Sequence, residues 1–300
     1  MALAIALPVR AAAEAPIAVI YPDIGGPYRE VFDKIIDGIE EKVETPVAKY
    51  PVTANTDLGR LKTNLLRDNT KAVIALGWQG MATAMTLNNG IRVVVGGVLT
   101  VPDKDANQQT VISLSPDPAL LFTRMKALMP SVRRVFVTYD PSFNAWLINL
   151  AKEAARTQGL ELVAYEAKDL RSAVRYYQDI FSHADGHSDV LWLPQDPTTV
   201  EESSILPLVL QESWNKGIAV FSSNSSHVRR GVLFSLYPDN EALGSTLADL
   251  ARGILSSGTY STRGMIPLRD VQGVVNLRTA NHLGIKPARL QDFAVTLPEK

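Results

Sequence analysis

From Ile17 onward, short apolar runs alternate with longer amphipathic stretches. The runs IAVIY (17–21), AVIAL (72–76), RVVVGG (92–97), RRVFVTY (133–139), DVLWL (189–193) and IAVFSS (218–223) are rich in β-branched residues and almost continuously apolar. That pattern predicts strands covered on both faces, as in a parallel sheet. Between the runs, Phe32, Ile35, Ile36 and Ile39 recur at helical spacing, as do Leu58, Leu61, Leu65 and Leu66, and Leu147, Leu150, Ala151, Ala154 and Ala155. Strands alternating with such helices predict βαβ units. Two series of units follow one another, about 16–114 and, from the helix PALLFTRMKALMPS (118–131), to about 233. The segment SLYPDNEALGSTLADLARGIL then predicts a strand end, a turn and a helix with Asp239 as N-cap. The expected fold class is α/β, with two doubly wound parallel-sheet lobes. No low-complexity linker separates them, so several short crossings between lobes are expected.

A length of 300 residues gives room for two modest cores, and a hydrophobic content of 46% fits a globular chain. The net charge of -1, from 30 basic and 31 acidic residues, leaves no basic footprint for nucleic acid. The absence of cysteine excludes disulfides, thiolate metal sites and a cysteine nucleophile. At the N-terminus, an apolar stretch from Ala2 to Val9 precedes small residues, and Ala11 and Ala13 fit the small-x-small cleavage pattern. Residues 1–15 are therefore expected to be the remnant of a Sec-type signal, cleaved after Ala13, and the mature protein is expected in the periplasm. The usual basic n-region is missing, and an alanine-rich tail is the alternative reading. No other segment approaches the roughly 20 apolar residues that span a bilayer.

In open α/β sheets, ligands bind beyond the carboxyl ends of the strands. Those ends carry Asp23, Gly25, Gly26 and Tyr28 after the first run, Trp78 and Gln79 after the second, and Val98, Leu99 and Thr100 after the third. Further along they carry Ser142, Phe143, Asn144 and Trp146, then Gln195, Asp196 and Thr198, then Asn224, Ser225, Ser226 and His227. Two readings stand for each polar residue: a ligand contact, or the cap or turn that a helix start requires in any case. For Trp78 and Trp146 the alternatives are core packing or an aromatic wall.

Catalytic signatures are missing. The chain has no GxGxxG, Walker A or GxSxG pattern. Ser213 and Lys216 match SxxK only at a predicted helix end, without its partner motifs. His183 and His187 flank a glycine-containing loop. DKDANQQT (103–110) places Gln108 where a calcium loop needs glycine. The expectation is a protein that is not an enzyme and has no cofactor and no metal.

The segments AVIALG, LMPSVRRVFVTYDPS, LWLPQDPTTV, GIAVFSSNSSHVRRGVLFSLYPDNEALG and VVNLRTANHLGI, in this order and spacing, resemble ABC-transporter substrate-binding proteins of the tryptophan/tyrosine-type family. That family has the type I periplasmic binding protein fold. The resemblance implies two lobes joined by three crossings, a solute captured between them by hinge closure, and delivery to an ABC permease. It places lobe 1 at 16–115 plus 237–264, lobe 2 at 116–236 plus 265–300, and the crossings near 114–118, 234–238 and 262–273. Tyr139, Pro141, Ser142 and Asp196 keep the family pattern. The chain departs from it with Trp78-Gln79 where Thr-Pro is common, Ala145-Trp146 where Asn-Ser is common, and Asn224 where aspartate is common. Family solutes are often amino acids, whose ammonium group needs a carboxylate, and Asp196 remains to supply one. The expected ligand set is Asp23, Tyr28, Trp78, Gln79, Tyr139, Ser142, Asn144, Trp146, Gln195, Asp196, Thr198 and Asn224. An amino acid or an aromatic or apolar solute is expected, bound by a monomer. The alternative is a periplasmic sensory module that signals to a membrane receptor.

Overall fold

Each apolar run read as a strand forms one in the computed structural model, which describes residues 15–43, 46–87 and 90–298. The predicted cleavage site after Ala13 lies outside the described residues. The chain begins β1 (Ile17–Pro22), α1 (Pro27–Val43), β2 (Ala48–Val52), α2 (Leu58–Arg67), β3 (Ala72–Leu76), α3 (Gly77–Met85), β4 (Arg92–Val98), α4 (Asp103–Ala106) and β5 (Thr110–Pro116). It continues α5 (Pro118–Leu128), β6 (Arg134–Tyr139), α6 (Pro141–Thr157), β7 (Glu161–Glu166), α7 (Leu170–His183), β8 (Asp189–Leu193), α8 (Ile205–Lys216), β9 (Ala219–Ser222) and α9 (Ser226–Arg230). The last elements are β10 (Phe234–Pro238), α10 (Asn240–Ser257), β11 (Gly264–Leu268), β12 (Val271–Asn276), α11 (Leu277–His282) and β13 (Val295–Leu297).

Two compact units result. Unit 1 gathers the described residues up to Val98, with Asp103–Val111 and Asn240–Gly264. Unit 2 gathers Leu99–Pro102, Ile112–Asp239 and the residues from Met265 onward. One sheet has the order β11-β5-β4-β3-β1-β2, the other β13-β12-β10-β9-β8-β6-β7. Pairing is parallel between β1 and its neighbours β2 and β3, between β3 and β4, and along β7-β6-β8-β9-β10. In the second sheet β12 runs antiparallel to β10, so that sheet is mixed.

The central strands β1, β3 and β8 are buried at every position, as their apolar runs require, and Asp189 at the start of β8 is buried with them. The edge strands β2 and β7 carry charged residues such as Lys49 and Glu161 and are partly exposed, which hides them from a search for apolar runs. The α2 stripe is narrower than its leucines predict. Leu61 and Leu65 are buried, one turn apart, whereas Leu58 is 39% and Leu66 67% exposed. Leu150, which precedes the buried Ala151 on α6, also points outward.

In unit 1, α1 and α10 cross at two glycines. A Cβ on Gly244 would lie 2.1 Å from the Ile35 carbonyl oxygen, and one on Gly38 would lie 2.0 Å from that of Glu241. Only hydrogen at these positions lets the helix backbones meet. In unit 2, Phe122 meets the ring of Trp192 edge-on at 5.8 Å, and Phe221 stacks on Phe234 at 5.3 Å. These rings lie in a core that includes Val135, Val137 and Val190 on β6 and β8. The rigid sheet fixes where the loops at its carboxyl end begin.

Candidate functional site

In unit 2, three strand ends are tied into one polar network. After β6, the Asp140 carboxylate caps α6 by accepting from the Ser142 N–H (2.9 Å), and Pro141 occupies the first turn. After β8, the Asp196 carboxylate is 4% exposed and has four donors. One oxygen accepts from the backbone N–H groups of Thr198 (3.0 Å) and Thr199 (2.9 Å). The other accepts from the Asp140 N–H (2.7 Å) and from Asn144 Nδ2 (3.0 Å). The Thr198 hydroxyl donates back to Asp140 (2.9 Å), and that of Thr199 donates to the Thr138 carbonyl (3.0 Å). After β9, the Ser223 carbonyl accepts from Gln195 Nε2 (2.8 Å), and the Ser223 hydroxyl accepts from the buried Trp192 indole (3.0 Å). Asn224 Oδ1 accepts from the Ser226 N–H (3.0 Å) and Ser226 hydroxyl (2.9 Å).

Ser142, Asn144, Gln195, Asp196 and Thr198 are thus brought together, and Asn224 follows Ser223 at the border of the network. The network turns its acids inward. Burial pushes the Asp140 carboxyl up, but the Ser142 N–H and the Thr198 hydroxyl outweigh it, so its pKa falls below the ordinary carboxylate range. Tyr139 lies apart. Its hydroxyl donates to Glu166 on the edge strand (2.8 Å), and burial together with that bond pushes its pKa up to about 12. Trp146 packs against the core, and its Nε1 is buried without a hydrogen-bond partner. Among the described residues, Gln195 Oε1 and Asn224 Nδ2 have no protein partner, whereas the Ser142 hydroxyl bonds to Asp140.

In unit 1, the four expected residues sit beyond β1 and β3, which are adjacent in the sheet. Tyr28 in the first turn of α1 is 70% exposed, and Trp78 in the first turn of α3 is 57% exposed. Gln79 is half-buried. Asp23 is exposed, with Arg29 Nη1 at 3.8 Å from its carboxylate. Gly77 makes the abrupt passage from β3 into α3 at φ +68°, with Phe32 and Pro22 packed where a side chain would project.

The expected ligand set leaves out Asp140, Thr199, Ser223 and His227, of which His227 is read only as a strand-end residue. The motif Asp-Pro after a strand is the signal that would have found Asp140. His227 is 2% exposed, with Nδ1 2.9 Å from the Ser222 hydroxyl. Burial lowers its pKa, with Glu202 opposing. Among the described residues, no cluster of three His, Cys, Asp or Glu side chains could hold a metal ion. The strand ends therefore offer hydrogen-bonding groups and aromatic faces on rigid supports, which is the equipment for binding.

No curated protein sequence matches the chain significantly. Solved structures do match in fold. A conserved domain protein from Vibrio cholerae is 20% identical, covering 94% of this chain and 99% of its own, with a TM-score of 0.53. An ABC domain in complex with L-Trp from Streptococcus pneumoniae is 18% identical, covering 95% and 100%, with a TM-score of 0.56. A ligand-free, open substrate-binding protein with adhesive properties from Clostridium difficile is 18% identical, covering 93% and 98%, with a TM-score of 0.62. The α/β architecture is accordingly that of type I periplasmic binding proteins. The sequence profile of ABC transporter substrate binding proteins matches residues 87–291, about two thirds of the chain, and the chain belongs to that family.

Proposed function

We propose that this family member captures a small neutral solute with an aromatic or apolar body and presents it to an ABC permease. The observation that carries this reading is the saturation of Asp196. All four hydrogen bonds that its carboxylate accepts come from the protein. Asp140 likewise turns to Ser142 and Thr198. The expected ligand residues of unit 2 then offer neutral groups on Ser142, Gln195 and Asn224, while the Trp146 indole N–H is buried. A solute with an ammonium group would meet no free carboxylate there, and burying an unpaired charge is costly. The exposed Trp78 and Tyr28 of unit 1 supply aromatic surface.

Membership of a binding-protein family supports a non-enzymatic role. Among the described residues no helix is long and apolar enough to cross a membrane. We place the mature chain in the periplasm as a monomer, released by cleavage after Ala13. N-terminal sequencing of protein from a periplasmic fraction, with size-exclusion chromatography, tests both statements.

The solute class is tested by thermal shift and calorimetry with indole, phenol and toluene and, as ammonium-bearing controls, L-tryptophan, tryptamine and lysine. Uncharged aromatic compounds should raise the melting temperature, because a ligand of the native state stabilises it. A response confined to the ammonium-bearing controls would overturn the solute class.

A further inference from the structure

Unit 2 has a groove of about 830 Å³ on the side of its sheet away from the strand-end network. Its walls are the last turns of α8, the end of α9 and the start of α11. Gly217 leads from α8 into β9 and Gly231 from α9 into β10, so the groove lies by the amino ends of these parallel strands. The strand-end network lies at their carboxyl ends. We propose that this groove is a separate binding site for a small free polyanion, a molecule carrying a diphosphate or several carboxylates.

Among the described residues, the lining includes Arg229, Arg230 and Arg278 and no acidic residue. Arg230 is neutralised by Glu202, at 3.6 Å. Among the described residues, neither Arg229 nor Arg278 has an acidic partner. Arg278 is nonetheless held in place. Its guanidinium lies 5.7 Å from the centre of the Trp214 ring, and Trp214 stacks on His282 with ring centres 3.6 Å apart. A cation over an aromatic face is fixed in position while keeping its charge and its hydrogen-bond donors. Two of the carbonyls at the end of α8, which would repel an anion, are engaged. That of Ser213 accepts from the Ile218 N–H, and that of Trp214 accepts from the Gly217 N–H.

Two guanidinium groups facing one groove repel each other, and an oxyanion relieves that repulsion while accepting paired N–H donors. Two such groups suit a ligand with more than one oxyanion better than a single carboxylate. The Gln211 and Asn215 side chains add neutral polar groups to the same lining. The volume falls in the range of small-molecule sites, roughly 300–1,000 Å³.

The test is calorimetric titration of the whole protein with inorganic pyrophosphate and with citrate, at constant ionic strength. Binding is expected with a dissociation constant below about 1 mM, weakening as salt rises. Because a hydrogen bond to a charged group is strong, R229Q and R278Q should each weaken binding at least about tenfold, and the exposed control R171Q should not. Circular dichroism melts of each variant confirm that it is folded. Absence of binding by both probes at 10 mM (about tenfold above the expected constant), or equal binding by the R229Q/R278Q double variant, would overturn the site. Phosphatidylglycerol vesicles separate a lipid source from a free one. Binding to vesicles without binding to pyrophosphate or citrate would overturn the assignment to a small free molecule.

Discussion

Replacing Asp196 separates a clamp from a ligand contact. Its two carboxylate oxygens accept from the Asp140, Thr198 and Thr199 N–H groups and from Asn144 Nδ2, at 2.7–3.0 Å. In D196A these donors lose their common acceptor in a place that is 4% exposed. A hydrogen bond to a charged group contributes about 1.5–3 kcal/mol, and water entering the vacated space recovers part of the loss. We expect D196A to destabilise unit 2 by about 4 kcal/mol, a large share of the 5–15 kcal/mol typical of a protein. D196N is the sharper variant, because it preserves shape. Each carboxylate oxygen serves two N–H donors, so either orientation of the amide sets its NH2 group against two donors. We expect a loss of about 3 kcal/mol. Urea unfolding followed by tryptophan fluorescence reads both, since Trp192 and Trp146 lie in unit 2. If D196N unfolds at the wild-type midpoint while losing solute affinity, Asp196 is a ligand contact and the clamp reasoning fails.

Other expectations rest on different parts of the molecule. G244A puts a methyl group 2.1 Å from the Ile35 carbonyl oxygen and should cost about 3 kcal/mol by prising α10 from α1, read as a lowered melting temperature; an unchanged melting temperature would refute the close crossing. R134A leaves the fully buried Asp189 without its bidentate partner (2.8 and 2.5 Å) and should cost about 3 kcal/mol in urea unfolding, an effect absent from the exposed R171A. W78A removes an aromatic ring that is 57% exposed, so stability should stay within about 0.5 kcal/mol while calorimetry shows weaker solute binding. Acid should act in two stages. Burial lowers the His227 pKa, so the unfolded chain binds more protons and stability falls as pH drops below about 6.5. In Asp189, burial is outweighed by Arg134 and the Asp185 N–H, so its pKa is lowered like that of Asp140, and their stabilisation is lost below about pH 4. Urea midpoints at about pH 7.5, 5.5 and 3.5 test this, and H227Q should flatten the first step alone.

What the sequence reveals follows from how local each cause is. The central strands were legible because burial on both faces demands continuous apolar residues, as in VLWL of β8. The edge strands β2 and β7 were not, because one half-exposed face admits Lys49 or Glu161 and erases the signal. The loops at the carboxyl ends were legible as places, since topology alone puts them there. The task of each side chain was not, because it depends on distant partners. Asp196 meets the Asp140 N–H and the Asn144 amide from 56 and 52 positions away.

Part of that assignment nevertheless has a local mark. Asp117-Pro118, Asp140-Pro141 and Asp196-Pro197 all follow strands, and in each the aspartate accepts from an N–H two residues on: Ala119, Ser142 and Thr198. Proline has no N–H and a fixed φ, so it starts the turn and leaves the next N–H groups to the carboxylate before it. An aspartate followed by proline at a strand end is therefore expected to spend its charge on the backbone. A free acid must be sought where no proline follows. At the strand ends expected to meet the solute, that criterion selects Asp23, before Ile24, whose nearest cation is Arg29 at 3.8 Å. D23N therefore completes the test of the neutral-solute reading: affinity for indole should be unchanged, and a loss of affinity confined to ammonium-bearing compounds would overturn that reading.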